Sequence, residues 1–362
     1  MYEDVSMPRV TAIVSLYNSR EFVHGCLEDL VEQTLFKRGE LEIVVIDSNS
    51  PQEEYAVVER FIKRYPNQIV YERTTERETL YQAWNRALRI AKGSYITNAN
   101  SDDRHHPEAL EIMSLTLDKH PEIDLVYADV FESVVPNQTF FENPRTARYR
   151  YPTFCAPVSL LYYQFGCQPM WRSAIHSRMG SFSTELRAAG DWDFCVRFSL
   201  AGLRALHIPQ PLGSFLHRTT SISTQDSTSS REQMLIKDRY LSLDNIILLY
   251  HKEGWRVDTH QAKAKALTDF AMRASAMALP WTPGKLYQEP SATVMSCLAA
   301  FEMVKDDPRI AWNLGVALFR TDHKREATQF LELGHALSHP EISKALGAVE
   351  RGEHAHLPMV AV

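Results

Sequence analysis

The chain has 362 residues, 44% apolar and 23% charged, with a net charge of −6. That balance matches an ordinary globular protein with room for two domains, and it argues against a general nucleic-acid binder. An anionic ligand would need local cations, a metal ion or helix N-termini. No run of about 18 apolar residues occurs, so no membrane span is expected, and MYEDVSMPRV lacks the apolar centre of a signal peptide. Cys26, Cys155, Cys167, Cys195 and Cys297 form no CxxC pair. They read as reduced, buried thiols, which fits a cytosolic setting.

The first third alternates strand and helix. RVTAIVSLY predicts a strand ending at Asn18-Ser19, and EFVHGCLEDLVEQTL then has helical spacing. LEIVVID is a nearly continuous apolar run, as in a parallel strand covered on both faces. It ends in the turn cluster Asp47-Ser48-Asn49-Ser50. Helix EEYAVVERFIKRY, strand QIVYE, helix TLYQAWNRALRIAKG and strand SYITNA follow. The last strand leads into Asn100-Ser101-Asp102-Asp103, then a helix opened by Pro107 and the strand DLVYADVFESVV. Repeated β-α units predict an α/β fold with a mostly parallel sheet, helices on both faces and ligands at the strands' carboxyl ends. Polar clusters at Tyr17-Asn18, Asp47 to Ser50 and Asn100 to Asp103 all fall there.

From about residue 136 the pattern turns irregular and aromatic, until GDWDFCVRFSLAG reads as a helix begun near Asp191. HRTTSISTQDSTSS is expected to be a mobile loop. Beyond about residue 231 strand signals end, giving a domain of residues 1–235 and an all-α region of residues 236–362. Residues 306–340 are similar to a single tetratricopeptide hairpin, with an ordinary helical hairpin the equal alternative.

The acidic tip at Asp102-Asp103 is suited to a hard divalent cation such as Mg²⁺ or Mn²⁺, which joins one or two carboxylates to substrate phosphates. The plainer alternative is a helix cap before Pro107. His105-His106 lacks further ligands for zinc and reads as structural. No GxGxxG, P-loop, HExxH or GxSxG motif is present.

VTAIVSLYNSREFVHGCLEDLVEQTL, LEIVVIDSNS, LYQAWNRALRIAKGSYITNANSDDRHHPEAL and GDWDFCVRFSLAG together resemble a family-2 glycosyltransferase of the GT-A fold, over roughly residues 8 to 225. The resemblance implies a nucleotide site in which Tyr17 stacks on the base with Ser15 nearby. Asp47 and Ser48 stand where the family reads the base, although many members carry a second Asp at the position of Ser48. Tyr81 and Asn85 would line the nucleotide-sugar site, and Thr79 replaces the usual Gly. Asp102 takes the metal-binding place of the D-x-D motif, with Asp103 a helper and Asn100, beside Ser101, replacing the first Asp. Asp191 matches the catalytic base, with Gly190 where Glu is common. His217 would contact metal or phosphate, Arg218 would clamp phosphate, and Trp171 and Arg172 would meet the acceptor.

The implied reaction is an inverting, Mn²⁺- or Mg²⁺-dependent transfer from a nucleotide-diphosphate sugar, UDP-sugar first, to a glycan, lipid-linked or protein acceptor. The alternative is a catalytically degenerate scaffold acting through its helical tail. A nucleotidyltransferase is disfavoured because SLYNSREF lacks a Gly-rich loop. A cytoplasmic location is expected, with peripheral contact at the inner face of the membrane as an open alternative, and the tail is a candidate for homodimer or partner contacts.

Overall fold

The computed structural model describes residues 7–218, 227–280, 282, 285–336, 339–340, 342–343 and 357–362. The serine- and threonine-rich stretch from residue 219 to 226 lies outside them. The chain divides into two compact units, residues 1–154 with 163–235 and residues 155–162 with 236–362.

In the first unit β1 (Val10–Leu16), β2 (Leu41–Asp47), β3 (Ile69–Arg73) and β4 (Tyr95–Asn98) alternate with α1 (Val23–Val31), the short α2 (Thr34–Lys37), α3 (Tyr55–Arg64) and α4 (Leu80–Ile90). Then come β5 (Arg104–His105), α5 (Ala109–Lys119), β6 (Leu125–Ser133), β7 (Arg148–Tyr149), β8 (Met170–Arg172), α6 (His176–Met179), α7 (Gly190–Leu200), β9 (Ala205–Leu216) and the first part of α8 (Thr228–Tyr240), which continues past residue 235. The sheet runs β3-β2-β1-β4-β8-β6-β9-β5, with β7 beside β6. β3, β2, β1 and β4 are parallel, and β8 lies antiparallel between β4 and β6. The sheet is therefore mixed beyond β4.

Sequence chemistry explains the central strands. Every residue of β2 is buried, as a strand covered on both faces requires. Val10, Ala12, Val14 and Leu16 of β1 pack in one core with Val23, Cys26, Leu27 and Leu30 of α1. Each fully buried large apolar side chain there is worth about 1.5–3 kcal/mol. Thr79 is the N-cap of α4. Its hydroxyl accepts from the Gln82 amide while its own amide donates to the Gln82 side chain, a reciprocal capping box. That is a local reason for Thr where the family usually has Gly.

The second unit contains α9 (Leu243–Lys252), α10 (His260–Ser275), α11 (Pro290–Met303), α12 (Pro308–Arg320) and α13 (Lys324–Ala336). It also holds a two-stranded ribbon of β10 (Met277–Ala278) and β11 (Leu286–Tyr287), an exception to the all-helical expectation. α12 and α13 form a hairpin. Gly315 and Gly334 permit its close approach, because a Cβ on either would sit 2.8–2.9 Å from the opposite helix. The Asn313 side chain makes paired hydrogen bonds to the Val360 backbone, both 2.7 Å. Among the described residues no helix is long and apolar enough to cross a membrane. All five cysteines are free thiols.

Candidate active site

The parallel strands β1, β2 and β4 deliver three polar turns to one edge of the sheet. Asn18 and Asn49, just past β1 and β2, both take left-handed backbone at φ 54, a conformation that asparagine tolerates well. Glu54, wholly buried, stitches the two turns by accepting from the Ser19 amide (2.7 Å) and the Ser50 hydroxyl (2.8 Å). Asp47 is also wholly buried. Its carboxylate accepts from the Ser50 amide (2.8 Å), the Tyr71 hydroxyl (2.7 Å) and the Arg73 guanidinium (2.7 Å). Burial and the Asp47 carboxylate push the Tyr71 phenol well up. The groups that Asp47 organises, Tyr71 and Arg73, are partly exposed. Ser48 is buried and its amide donates to Leu16, whereas Ser15 is half-buried. Tyr17 is half-buried too, with the Arg77 guanidinium 4.0 Å from its ring centre, a cation–π contact.

At the acidic tip the two carboxylates face different ways. Asp103 is 1% exposed and accepts from the Asn100 side chain (3.0 Å) and the Leu216 amide (3.1 Å), tying the tip to β9. Burial, then the neighbouring Asp102, raises the Asp103 pKa well above the usual carboxylate range. Its carboxylate, expected to help Asp102 at a metal, is turned toward Asn100 and the Leu216 amide. This orientation gives Asn100 a role: its side-chain amide donates to Asp103, which an ionised aspartate in its place could not do. Asp102 is partly exposed and paired with Arg218, whose Nε lies 3.1 Å from its carboxylate. Arg218 also stacks over Phe22, 4.6 Å from the ring centre. Ser101 donates to the Ser19 hydroxyl, linking the tip to the turn after β1. The His217 ring is 3.7 Å from Glu132 instead of joining the aspartates. Among the described residues no three His, Cys, Asp or Glu side chains cluster as a metal site.

Asp191 opens α7, and its carboxylate accepts from the Trp192 amide (2.8 Å) and from the Tyr81 hydroxyl on α4 (3.4 Å). The net effect of its recessed position is a pKa raised to about 6, with burial the main cause and these hydrogen bonds opposing it. Tyr81 is 2% exposed and its phenol is pushed far up, chiefly by burial. Gly190 has a steric reason: a Cβ there would stand 2.6 Å from the Tyr81 ring. The larger side chain common in the family would displace that ring.

Other expected residues are engaged elsewhere. The Asn85 side chain clasps the Phe182 backbone, donating at 2.8 Å and accepting at 2.9 Å. Trp171 is 1% exposed and donates to His176. Arg172 pairs with Tyr95 at the opposite, amino end of β4 and donates to the carbonyls of Ile123 and Leu117. The side chains not foreseen are Glu54, Arg73, Arg77 and Glu232. Arg73 carried a usable signal, since it ends β3 at the same edge as Asp47.

Residues 11–187 match the model of glycosyl transferase family 2. Over 102 residues the chain is 34% identical to a poly(ribitol-phosphate) beta-glucosyltransferase of Bacillus spizizenii, covering 28% of this chain and 16% of that protein. Over 197 residues it is 24% identical to a teichoic acid poly(glycerol phosphate) polymerase of Staphylococcus epidermidis, covering 53% and 26%. The chain thus spans about a quarter or less of the length of these relatives. A crystal structure of S. aureus TarS 1-349 in complex with UDP-GlcNAc shares the fold, with TM-score 0.55 and 16% identity over 96% of this chain and 93% of that one. The order of the sheet, the matched segment and this shared fold agree: residues 11–187 belong to glycosyl transferase family 2, and the chain carries a GT-A fold.

Proposed function

We propose that this glycosyltransferase works by inversion, with Asp191 as the general base and a UDP-sugar as donor. The observation that carries the reading is Asp191 itself: a carboxylate steadied by Tyr81, with its pKa raised to about 6. A base needs a pKa near the working pH to be both ionised and willing to take a proton. Single displacement accounts for every atom. The acceptor oxygen forms a bond to the anomeric carbon and its proton passes to Asp191. The bond from that carbon to the diphosphate oxygen breaks, and the electron pair leaves with the nucleoside diphosphate.

A divalent ion fits the donor set in a limited way. Mg²⁺ and Mn²⁺ often need only one or two protein carboxylates when a diphosphate supplies other oxygens. Asp102 is the carboxylate at the tip that is not turned inward, and TarS, of the same fold, is described with UDP-GlcNAc. GalNAc-T7, at TM-score 0.51, is described with UDP and Mn²⁺. When bound, such an ion would neutralise charge developing on the leaving diphosphate. Arg218, paired to Asp102, would donate to phosphate oxygens once the diphosphate arrives. Tyr17 and the Asp47–Arg73–Tyr71 group would receive the nucleoside. The teichoic-acid relatives suggest a hydroxyl of a cell-surface polymer as acceptor.

The test is turnover by Asp191→Asn. It should lose about 10²-fold or more in kcat while still binding UDP, and undiminished turnover would exclude Asp191 as the base.

A further inference from the structure

α8 brings one buried carboxylate to the loop that leads into α7. Glu232 is 7% exposed, and it accepts from the Arg187 amide (2.8 Å), the Ala188 amide (2.8 Å) and the Ala189 amide (2.9 Å). These amides precede a helix N-terminus, where unpaired N–H groups concentrate and attract a negative group. The Ala189 carbonyl in turn accepts from the Trp192 and Asp193 amides, both 3.1 Å. The Trp192 amide also donates to Asp191. A continuous chain of hydrogen bonds therefore runs from Glu232 through Ala189 to the first turn of α7. Tyr81 steadies the same carboxylate from α4, and the Asp193–Arg197 ion pair fastens the same turn. Tyr163 and Cys195 also lie close enough to interact with Asp191.

We propose that Glu232 is a positioning residue for Asp191: by gripping three successive amides before α7 it fixes where the base carboxylate points. The role rests on reading Asp191 as the base. Glu232 touches no reacting atom. A carboxylate can accept from several donors at once, whereas a glutamine in the same place turns an NH₂ group toward N–H groups. A buried amide left without an acceptor is costly, so the loop would shift.

The test uses the full chain as wild type, Glu232→Gln, Glu232→Asp and Asp191→Asn. The Asp191 carboxyl is followed by NMR titration on carbon-13 aspartate, exchange of the amides of residues 187–189 by hydrogen exchange, and UDP release from UDP-N-acetylglucosamine by a coupled assay. In Glu232→Gln the Asp191 titration should move down from about 6 by roughly half a unit or more, because a negative neighbour is gone and the loop is better solvated. Amide exchange should quicken and kcat fall by about tenfold or more, with donor KM unchanged. Glu232→Asp, which keeps the charge, should recover part of the effect, and it carries the same comparison if the glutamine variant does not fold. A loss of stability alone, with the Asp191 titration and the exchange at residues 187–189 as in wild type, would overturn the proposal. Wild-type UDP release by Asp191→Asn would instead sink the base reading, which the NMR measurements distinguish.

Discussion

Replacing Asp191 by asparagine should make the protein more stable as it removes the activity, and the gain should depend on pH. The Asp191 carboxyl titrates at about 6 in the folded chain, against 3.8 for an unperturbed aspartate. A raised pKa means that the folded state prefers the protonated form. Its contribution is favourable below the unfolded value and is lost as pH rises through the folded one. A difference of about two units corresponds to at most about 3 kcal/mol. Partial solvent access reduces this to roughly 1–2 kcal/mol. Asparagine mimics the neutral acid, so Asp191→Asn should match wild type near pH 4 and exceed it above about pH 7. Urea unfolding of both proteins across this range measures the difference. An equal or lower stability for the variant at pH 8 would refute the claim that burial dominates at Asp191. The same titration predicts that turnover falls as pH drops through about 6, because the base becomes protonated.

Other contacts give sharp expectations. Gly190→Ala places a methyl group 2.6 Å from the Tyr81 ring. It should cost about 1–3 kcal/mol and lower kcat more than it raises donor KM, as thermal unfolding and steady-state kinetics will show. Asp47→Ala removes the acceptor for Tyr71, Arg73 and the Ser50 amide. It should destabilise by about 3 kcal/mol and weaken UDP binding, both measurable by calorimetry. Asn313→Ala should release the Val360 backbone, seen as faster hydrogen exchange there, while leaving UDP binding intact.

The part of the fold that presents the turns was legible because its residues carry local signals. β2 is one buried apolar run ending at Asp47, and α4 announces itself through Thr79 and its apolar face. β5, β7 and β8 are two or three residues long, too short for a periodic pattern. β9 is the longest strand, but Pro209 and Pro211 disguise it, and its register with β6 shifts near there. Side-chain direction was least legible. Asp102 and Asp103 are adjacent, yet only a fold that brings the Leu216 amide to Asp103 decides which one turns inward. Glu232 meets amides more than forty residues away in sequence, with no spacing rule to flag it. Asn85 and Arg172 make hydrogen bonds to backbone carbonyls far away in sequence, partners that no local pattern announces.

The most direct test of the whole account is calorimetric binding of UDP with and without Mn²⁺ to wild type and Asp102→Ala. Wild type should bind UDP more tightly with the metal, and UDP at about 100 times its dissociation constant should add roughly 2.7 kcal/mol of stability. The variant should lose the metal-dependent part. Absence of binding by UDP with Mn²⁺ to the wild-type chain would contradict the assignment of this sheet edge as a nucleotide-sugar site.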